Sequence, residues 1–448
     1  MHEKLVQKMH LVGFEDAIPQ TSIRTERDKE VLLKKGYHIP LTMDEFVEKY
    51  DVDPECVWYA PAISCGSYYF NKKTLAICSL HLEFPMIKSF DEIIPYSISL
   101  AEKRARKGEF YIKDYDFPSK MRLQYLRMVL ESGRKNFDIY SLFSAMYFSS
   151  DFGFDVLGTD IIRYAVQKKS KKAIEKTKKQ IAGLPKKIIL YRGEGSKSTP
   201  YEQSFSWTAD INCAYMFACR YGDHNARIIK AEANKNDIIE YIKDRNESEI
   251  FIDPQTVRVV SEVRLKGIDF IEEETDKLLD VFLEYKGLLQ GVRFAQDSVL
   301  HGKEHALRVL LLCLIMADCY QLLLQDQAKL ALAAVFHDSQ RKDDGEDREH
   351  GEDGAKYFAD MLIGSDSVEF LCKYHSLPDS EGMRAIGNMP YSPERLEEVA
   401  LMFKIFKDAD ALDRVRFGLR DLDVNMLRTP LAKELPLVAR LIYENLKL

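Results

Sequence analysis

The alternation of hydrophobic and polar positions changes character along the chain. Up to about residue 120, short aromatic and β-branched runs such as "CVWYAPAI" and "SYYFNKKTLAICSLHL" predict a mixed α+β region. Residues 121–182 then carry apolar side chains at helical spacing, as in "MRLQYLRMVLES". Between 184 and 257 the β-branched runs return, among them "LPKKIILYRGEG" and "ARIIKAEA", and predict strands. From about residue 270 helical periodicity continues to the end.

These changes predict a multidomain α+β protein. We expect a mixed α/β N-terminal module of unknown role at 1–120, a β-rich domain at 121–268 and an all-helical domain at 269–448. The longest apolar run, "ALRVLLLCLIMA", lies in the third domain, contains an arginine and ends at Asp318. It is too short and too interrupted to span a bilayer, so we predict a buried helix there.

Composition agrees with this picture. The 448 residues are too many for one ordinary core, and 46% hydrophobic with 30% charged residues is typical of a soluble globular protein. A net charge of −7 argues mildly against general nucleic-acid binding. The eight cysteines form no CxxC pair, and the N-terminus lacks an apolar signal core. We therefore expect reduced thiols, a cytoplasmic location and no membrane partner.

Histidines crowd into one part of the predicted helical domain. Five of the ten, namely His301, His305, His337, His350 and His375, fall within 75 residues. Imidazole together with carboxylate is the ligand set of a catalytic divalent metal. Because His301 and His305 are four residues apart on a predicted helix, we expect them to share a face. A role for His301 as ligand or as an ordinary hydrogen-bonded residue stays open.

Three short motifs in this region resemble the HD-domain metal phosphohydrolases over roughly residues 290–420. They are "HALRV", "FHDSQR" and "DADALDRVR", which match the family's histidine, His-Asp pair and distal aspartate. Asp410 fits the distal position best, with Asp408 as the fallback. Two intermediate histidines match the order of the family's two-metal variant. The resemblance implies the metal ligands His305, His337, Asp338, His350, His375 and Asp410.

The same resemblance implies a chemistry. A divalent metal, Mn, Fe or Mg, would activate water for attack on phosphorus and polarise the substrate's oxygens. The substrate would be a phosphorylated nucleotide, and the family spans cyclic nucleotides, dNTPs and (p)ppGpp. Arg308 and Arg341 are near enough in sequence to neutralise phosphate oxygens, because arginine offers a planar donor fork.

A second set of motifs lies in the β-rich domain. "YRGEG" contains Arg192, "SFSWT" contains Ser206 and Thr208, and "RNESEIFIDP" contains Glu247 and Glu249. A helix with Thr208 or Asp210 as its N-cap follows the second motif. In this order the motifs resemble the Arg–Ser–Glu class of mono-ADP-ribosyltransferases, and the resemblance covers about 70 to 130 residues.

By resemblance, each of these residues has a role in NAD chemistry. Glu249 would stabilise the oxocarbenium-like cation formed at the ribose and bond a ribose hydroxyl. Arg192 would hold the NAD diphosphate, and Ser206 would orient Glu249 or the nicotinamide ribose, with Thr208 beside them. Glu247 would face an arginine acceptor, on the same side as Glu249 if the backbone is extended.

The sequence therefore predicts a bifunctional enzyme, an NAD-dependent ADP-ribosyltransferase joined to an HD phosphohydrolase. Its partners would be NAD, a protein or nucleic-acid acceptor, and a phosphorylated nucleotide; by analogy, such a pairing suggests a toxin-like or phage-defence effector. Two alternatives stay open at this stage. In one, only the HD domain is catalytic and the transferase-like domain senses a nucleotide; in the other, both domains are binding scaffolds. The oligomeric state is left open.

Overall fold

The computed structural model describes residues 18–19, 48–59, 67–80, 90–110, 117, 119–220, 226–243, 247–345, 347–361 and 364–447. Much of the predicted N-terminal module, including 1–17 and 20–47, lies outside the described residues. Its described strands form an antiparallel sheet in chain order: β1 (Ile18–Pro19), β2 (Val57–Tyr59), β3 (Ser67–Asn71) and β4 (Ala76–Ser79).

Helices follow this first sheet, as the apolar spacing predicts. They are α1 (Phe90–Lys107), α2 (Ser119–Glu131), α3 (Ile139–Tyr147), α4 (Thr159–Gln167) and α5 (Lys171–Gln180). Side-chain caps define two of the starts, because Asp138 accepts from the Ser141 amide and Ser170 from the Ala173 amide. One hydrophobic cluster runs from Val52 through the sheet and these helices to Ala165. Packing is therefore continuous across residue 120.

The second sheet contains six strands in the order β10-β7-β5-β6-β9-β8, and its pairs are antiparallel. The strands are β5 (Lys187–Glu194), β6 (Ser206–Thr208), β7 (Arg227–Asn234), β8 (Ile238–Ile242), β9 (Glu249–Ile252) and β10 (Arg258–Arg264). Helix α6 (Ile211–Cys219) begins at Asp210, whose side chain accepts from the Asn212 amide. A Cβ at Gly193 would lie 1.8 Å from the Ala214 carbonyl oxygen, so only glycine lets α6 pack this closely on β5.

The rest of the described chain is helical. Its helices are α7 (Ile268–Gly291), α8 (Lys303–Cys319), α9 (Leu324–Phe336), α10 (His350–Met361), α11 (Asp366–Tyr374), α12 (Asp379–Gly387), α13 (Pro393–Leu412) and α14 (Pro436–Asn445). Every residue of α8 from His305 to Ala317 is buried, as expected for an apolar run that forms a central helix. Among the described residues, no helix is both long and apolar enough to cross a membrane.

The helical part shares its hydrophobic core with the second sheet. The cluster around α8 also contains Ala214 and Ala218 of α6, together with Ile228 and Leu265. Hydrogen bonds tie the same surfaces together: the Tyr215 hydroxyl donates to the Lys433 carbonyl at 2.9 Å. The Lys266 amide donates to the Glu434 carbonyl at 2.8 Å. The boundaries at 120 and 268 stay predictions, and apolar contacts extend across both.

Candidate functional site

Helix ends bring the predicted metal ligands together. His305 lies in the first turn of α8, His337 follows the last residue of α9, and His350 begins α10. His375 follows α11, and Asp410 lies in the last turn of α13. The four imidazoles are almost wholly buried, between 0% and 6% exposed. The cluster is therefore assembled where apolar helices begin or end.

Each of the four imidazoles uses its Nδ1 atom in a bond directed away from the cluster. The distances are His305 Nδ1 to Asp413 Oδ2 2.7 Å, His337 Nδ1 to the Ala334 carbonyl 2.9 Å, His350 Nδ1 to the Asp347 carbonyl 2.5 Å and His375 Nδ1 to the Cys372 carbonyl 2.6 Å. Carbonyl and carboxylate oxygens only accept hydrogen bonds, so each Nδ1 carries the hydrogen. In a neutral imidazole the lone pair is then on Nε2.

The four Nε2 atoms point inward in two pairs. His305 Nε2 lies 3.2 Å from His337 Nε2, and His350 Nε2 lies 3.0 Å from His375 Nε2. Two lone pairs at this distance repel unless something positive lies beside them. Burial disfavours protonation of His337 and lowers its pKa to about 3. Burial and Arg416 also oppose protonation of His305, but its hydrogen bonds to Asp410 and Asp413 outweigh them and raise its pKa. The donor set therefore fits a divalent cation, which takes neutral imidazole and carboxylate ligands.

Asp338 connects the two imidazole pairs. Its Oδ2 lies 3.5 Å from His305 Nε2, while its Oδ1 lies 3.1 Å from His350 Nε2 and 3.5 Å from His375 Nε2. Oδ1 is buried and has no hydrogen-bond donor among the described residues. Burial opposes ionisation, but the surrounding imidazoles hold the pKa of Asp338 well below its usual range. An ionised carboxylate with one oxygen towards each pair is suited to bridge two metal ions.

The structure separates the two candidates for the distal aspartate. Asp410 Oδ1 lies 3.3 Å from His305 Nε2, and the neighbouring imidazoles lower its pKa against the opposing effect of burial. Asp408 instead accepts from the Thr429 amide and hydroxyl, each at 2.8 Å, and from the Arg428 amide. Asp410 therefore faces the cluster, whereas Asp408 anchors the chain at residues 428 and 429.

Ligand atoms in two groups lie within 4.8 Å of one another, as a bound metal requires. One group is His305, His337 and Asp410, and the other is His337, Asp338 and His375. Both groups share His337, so the cluster is a continuous set rather than two separate sites.

His301 lies outside helix α8, so the expectation that it shares a helical face with His305 is wrong, although the centroids of the two rings lie 6.1 Å apart. Helix α8 begins at Lys303, and His301 lies in the preceding turn. That turn is tight, since a Cβ on Gly302 would lie 2.1 Å from the Ser298 carbonyl oxygen. The His301 ring instead lies 2.9 Å from Asp344 through Nδ1.

The predicted phosphate contact of Arg308 is also wrong. Its side chain is buried and donates to Asp413 through Nε at 2.6 Å and Nη2 at 3.0 Å. Asp413 also accepts from His305, so Arg308 holds the carboxylate that orients the His305 imidazole. Sequence reasoning missed Asp413. Its position three residues after Asp410, within "DADALDRVR", was the available signal.

Two other arginines border the cluster. Arg341 Nη1 lies 4.0 Å from Asp338 Oδ1 and 3.4 Å from the His350 ring, and Arg341 is held by bonds to the carbonyls of Asp343 and Gly345. Arg416, which the sequence did not single out, donates to Asp413 at 3.2 Å. Its Nε is buried with no hydrogen-bond acceptor among the described residues. These arginines supply positive charge beside the imidazoles and carboxylates.

All five residues predicted for NAD chemistry line one pocket on the second sheet. The wall of the pocket also carries aromatic rings from α3 and the residues that follow. The five residues are Arg192, Ser206, Thr208, Glu247 and Glu249. Strand pairing explains the convergence, because Thr208 lies opposite both Tyr191 of β5 and Glu249 of β9.

Arg192 is largely committed to protein acceptors. It donates to Glu194 at 2.9 Å, to the Ser206 carbonyl at 2.8 Å and to the Thr199 carbonyl at 2.5 Å. A guanidinium has five N–H groups, so two remain for a ligand. Arg192 therefore joins β6 and the loop at Thr199 to β5, and only part of its donor fork can face a phosphate.

The backbone between the two glutamates is not extended, so that condition in the sequence prediction is wrong. Ser248 has φ = 44°, in the left-handed region that non-glycine residues rarely adopt. The Thr208 hydroxyl donates to the Glu247 carbonyl at 2.6 Å, and the Ala209 amide donates to the Ser248 carbonyl at 3.1 Å. Both glutamates still line the pocket, because this turn brings them to it. A strained residue held in this way is typical of functional sites.

Two further residues at the pocket were missed by the sequence. The buried Tyr147 hydroxyl lies 3.5 Å from Ser206 Oγ, and burial raises the pKa of Tyr147. Arg420, from the helical part of the chain, donates through Nη2 to Glu247 Oε1 at 3.0 Å. Arg420 and Glu247 are 173 residues apart, so no local sequence pattern reports this contact.

Comparison with known proteins identifies one region of the chain. Residues 302–415, about a quarter of the 448, match the family model of the HD domain. No curated protein and no solved structure matched the chain. The protein thus combines mixed α/β structure with a helical HD domain, whose match begins just before α8 and ends just after α13.

Proposed function

We propose that the histidine cluster of the HD domain is the centre of a metal-dependent phosphohydrolase. The observation that carries the proposal is the convergence of two pairs of Nε2 lone pairs on one carboxylate. One ion would be held by His305, His337, Asp338 and Asp410. A second would be held by His350, His375 and Asp338. Mixed imidazole and carboxylate donors favour Mn or Fe, with Mg as the alternative.

The substrate we propose is a phosphorylated nucleotide. A bound divalent metal would supply Lewis acidity and lower the pKa of water. The chain's own groups would then orient the substrate, because Arg341 and Arg416 place positive charge beside the cluster for phosphate oxygens. The bonds from Nδ1 atoms to carbonyls and to Asp413 would keep the imidazoles in the ligand tautomer throughout.

Metal analysis with a substrate panel tests this proposal. Protein purified without chelator should contain about one to two ions per chain. Chelation should abolish hydrolysis of at least one member of a panel of cyclic nucleotides, dNTPs and (p)ppGpp, and adding back Mn, Fe or Mg should restore it. Hydrolysis that survives complete removal of the metal would contradict the proposal.

We propose, as a second function, that the pocket on the second sheet is an NAD-dependent mono-ADP-ribosyltransferase site. The meeting of Arg192, Ser206, Glu247 and Glu249 in one pocket supports it. Glu249 would stabilise positive charge at the ribose, and Glu247 would receive an arginine acceptor, or another acceptor on protein or nucleic acid. The two N–H groups left on Arg192 would contact the NAD diphosphate, while its other donors shape the pocket.

Labelled NAD distinguishes this function from nucleotide sensing. Incubation with a cell lysate should release nicotinamide and transfer label to an acceptor, and heat-denatured protein is the matched control. Tight NAD binding with neither product would favour the alternative, in which only the HD domain is catalytic and the pocket senses a nucleotide. Absence of both binding and turnover would leave the pocket without this role.

A further inference from the structure

An arginine of the same chain lies where the proposed transferase would receive its acceptor. Arg420 Nη2 donates to Glu247 Oε1 at 3.0 Å, and Arg420 Nε lies 3.2 Å from Met216 Sδ on α6. Glu247 lines the pocket and its side chain is 16% exposed, whereas that of Arg420 is 49% exposed. A guanidinium therefore sits at the edge of the pocket, held by the glutamate assigned to the acceptor.

Hydrogen bonds fix the loop that carries Arg420 against helix α6. Asn212 of α6 donates to Asp423 at 3.0 Å and accepts from the Val424 amide at 2.9 Å. Within the loop, Arg414 Nε donates to the Asp421 carbonyl and the Asp421 amide to the Gly418 carbonyl. These bonds hold the guanidinium in place beside Glu247, so that no diffusional encounter is needed.

We propose that Arg420 is a site of intramolecular ADP-ribosylation, an inference that rests on the transferase function proposed for the pocket. The substrate class is a nicotinamide dinucleotide, and the modified group is the Arg420 guanidinium. Half of the Arg420 side chain faces solvent, which leaves room for a bulky product outside the pocket. Glu249 is two residues from Glu247 across the Ser248 turn, so both proposed carboxylates serve one reaction.

The reaction balances with NAD as the sole co-reactant. The bond between ribose C1′ and the nicotinamide nitrogen breaks, and its electron pair leaves with neutral nicotinamide. A bond forms from a terminal nitrogen of Arg420 to C1′. The guanidinium gives up one proton, which Glu247 accepts and passes to solvent. The products are ADP-ribosyl-arginine, nicotinamide and a proton.

Peptide mass spectrometry of the full-length protein tests the inference. After incubation with NAD, ADP-ribose should be found on Arg420, and the labelled fraction per unit time should stay constant over about tenfold dilution of the protein, as for an intramolecular step. Arg420→Lys should remove this label. Arg414→Lys is the matched control, because Arg414 lies in the same segment but bonds a backbone carbonyl rather than Glu247. It should keep the Arg420 label.

Nicotinamide release, measured in the same samples, separates the two ideas. Release without label on Arg420 would overturn the inference and leave the proposed function standing; absence of release would overturn both. Added agmatine provides a second readout. If Arg420 never carries label but Arg420→Lys increases agmatine labelling, Arg420 blocks the pocket rather than being modified in it. A second variant, Glu247→Gln, should reduce Arg420 labelling more than nicotinamide release.

Discussion

The histidine cluster and the pocket on the second sheet handle their polar groups in opposite ways. In the cluster, hydrogen bonds satisfy the outward Nδ1 atoms, four Nε2 atoms converge inward, and Asp338 Oδ1 has no hydrogen-bond donor in the described part of the chain. In the pocket, polar groups largely satisfy each other, since Arg192 bonds carbonyls and Glu247 bonds Arg420. A buried set of converging acceptors favours a cation, whereas a set whose members bond one another offers a ligand only the groups that are left over.

This difference affects what each site reveals about its ligand. The cluster specifies the charge, the donor preference and the approximate position of its ligand, because few species satisfy convergent lone pairs. The pocket specifies less, since many of its polar groups bond one another. Substitutions that act on one type of site and not the other test whether the contrast holds.

The largest expected effect follows from removing the charge of the Asp338 carboxylate, which lies between the two imidazole pairs. Asp338→Asn should lose nearly all metal from both imidazole pairs, because one oxygen faces each pair. Loss of the metal's contribution of several kcal/mol should lower hydrolysis at least about a thousandfold. Elemental analysis and turnover measure this.

Asp408→Asn is the control for that substitution. It removes a buried charge two residues from Asp410 and should destabilise the fold by roughly 1–3 kcal/mol, yet retain the metal. Full metal retention in Asp338→Asn would show that the Asp338 carboxylate is not needed to hold the metal, and the proposed difference between the two sites would fail.

The next effect belongs to the pocket. Glu249→Gln should slow nicotinamide release by about a hundred- to a thousandfold, or roughly 3–4 kcal/mol, because a transition-state charge loses its partner. Metal content and nucleotide hydrolysis should stay at wild-type levels. If nucleotide hydrolysis falls in parallel with nicotinamide release, the two sites are not independent.

A smaller effect is expected from changing Asp413, the carboxylate that bonds His305 Nδ1. Asp413→Asn keeps the shape but weakens the partner of His305 Nδ1 and of Arg308. Metal affinity should fall roughly 10–100-fold, as measured by competition with a chelator. Unchanged metal affinity would show that the bond from His305 Nδ1 to Asp413 does not orient His305 for metal binding.

The smallest expected effect concerns Ser248. Ser248→Gly relieves the left-handed backbone conformation and should change unfolding free energy by at most about 1 kcal/mol, whereas Ser248→Val should destabilise by about 1–2 kcal/mol. Thermal unfolding distinguishes the pair. Equal stability of the two variants would mean that the turn carries no strain.

The residues proposed as metal ligands could be singled out from the sequence because their signals are local. His337 and Asp338 follow an apolar helix and Asp410 stands in a short motif, so the resemblance of these motifs to the HD-domain phosphohydrolases was enough to single them out. The prediction for His301 failed because spacing does not report where a helix begins, and α8 begins at Lys303. Arg308 failed because its burial against Asp413 depends on the packing of distant helices.

The pocket was predicted in content but not in detail. The order of Arg192, Ser206 and Glu249 indicated a common site, and strand register brings them together. The conformation of Ser248 depends on the bond between Thr208 and Glu247, which are 39 residues apart. The approach of Arg420 depends on its bond to Glu247, which is 173 residues away. Likewise, no pattern in the first 120 residues showed that their core continues to Ala165.

The placement of α6 constrains how this protein can be taken apart or recombined. Ala214 and Ala218 belong to the same apolar cluster as α8, and Arg440 of α14 donates to the Cys219 carbonyl. A gene fragment ending at residue 268 would leave one face of α6 bare, and the complementary fragment would expose the surface that covered it, so both pieces should aggregate. The part of the chain before residue 268 and the part after it therefore depend on each other for a covered apolar surface. Replacing either part with that of an unrelated protein would require a new matching surface.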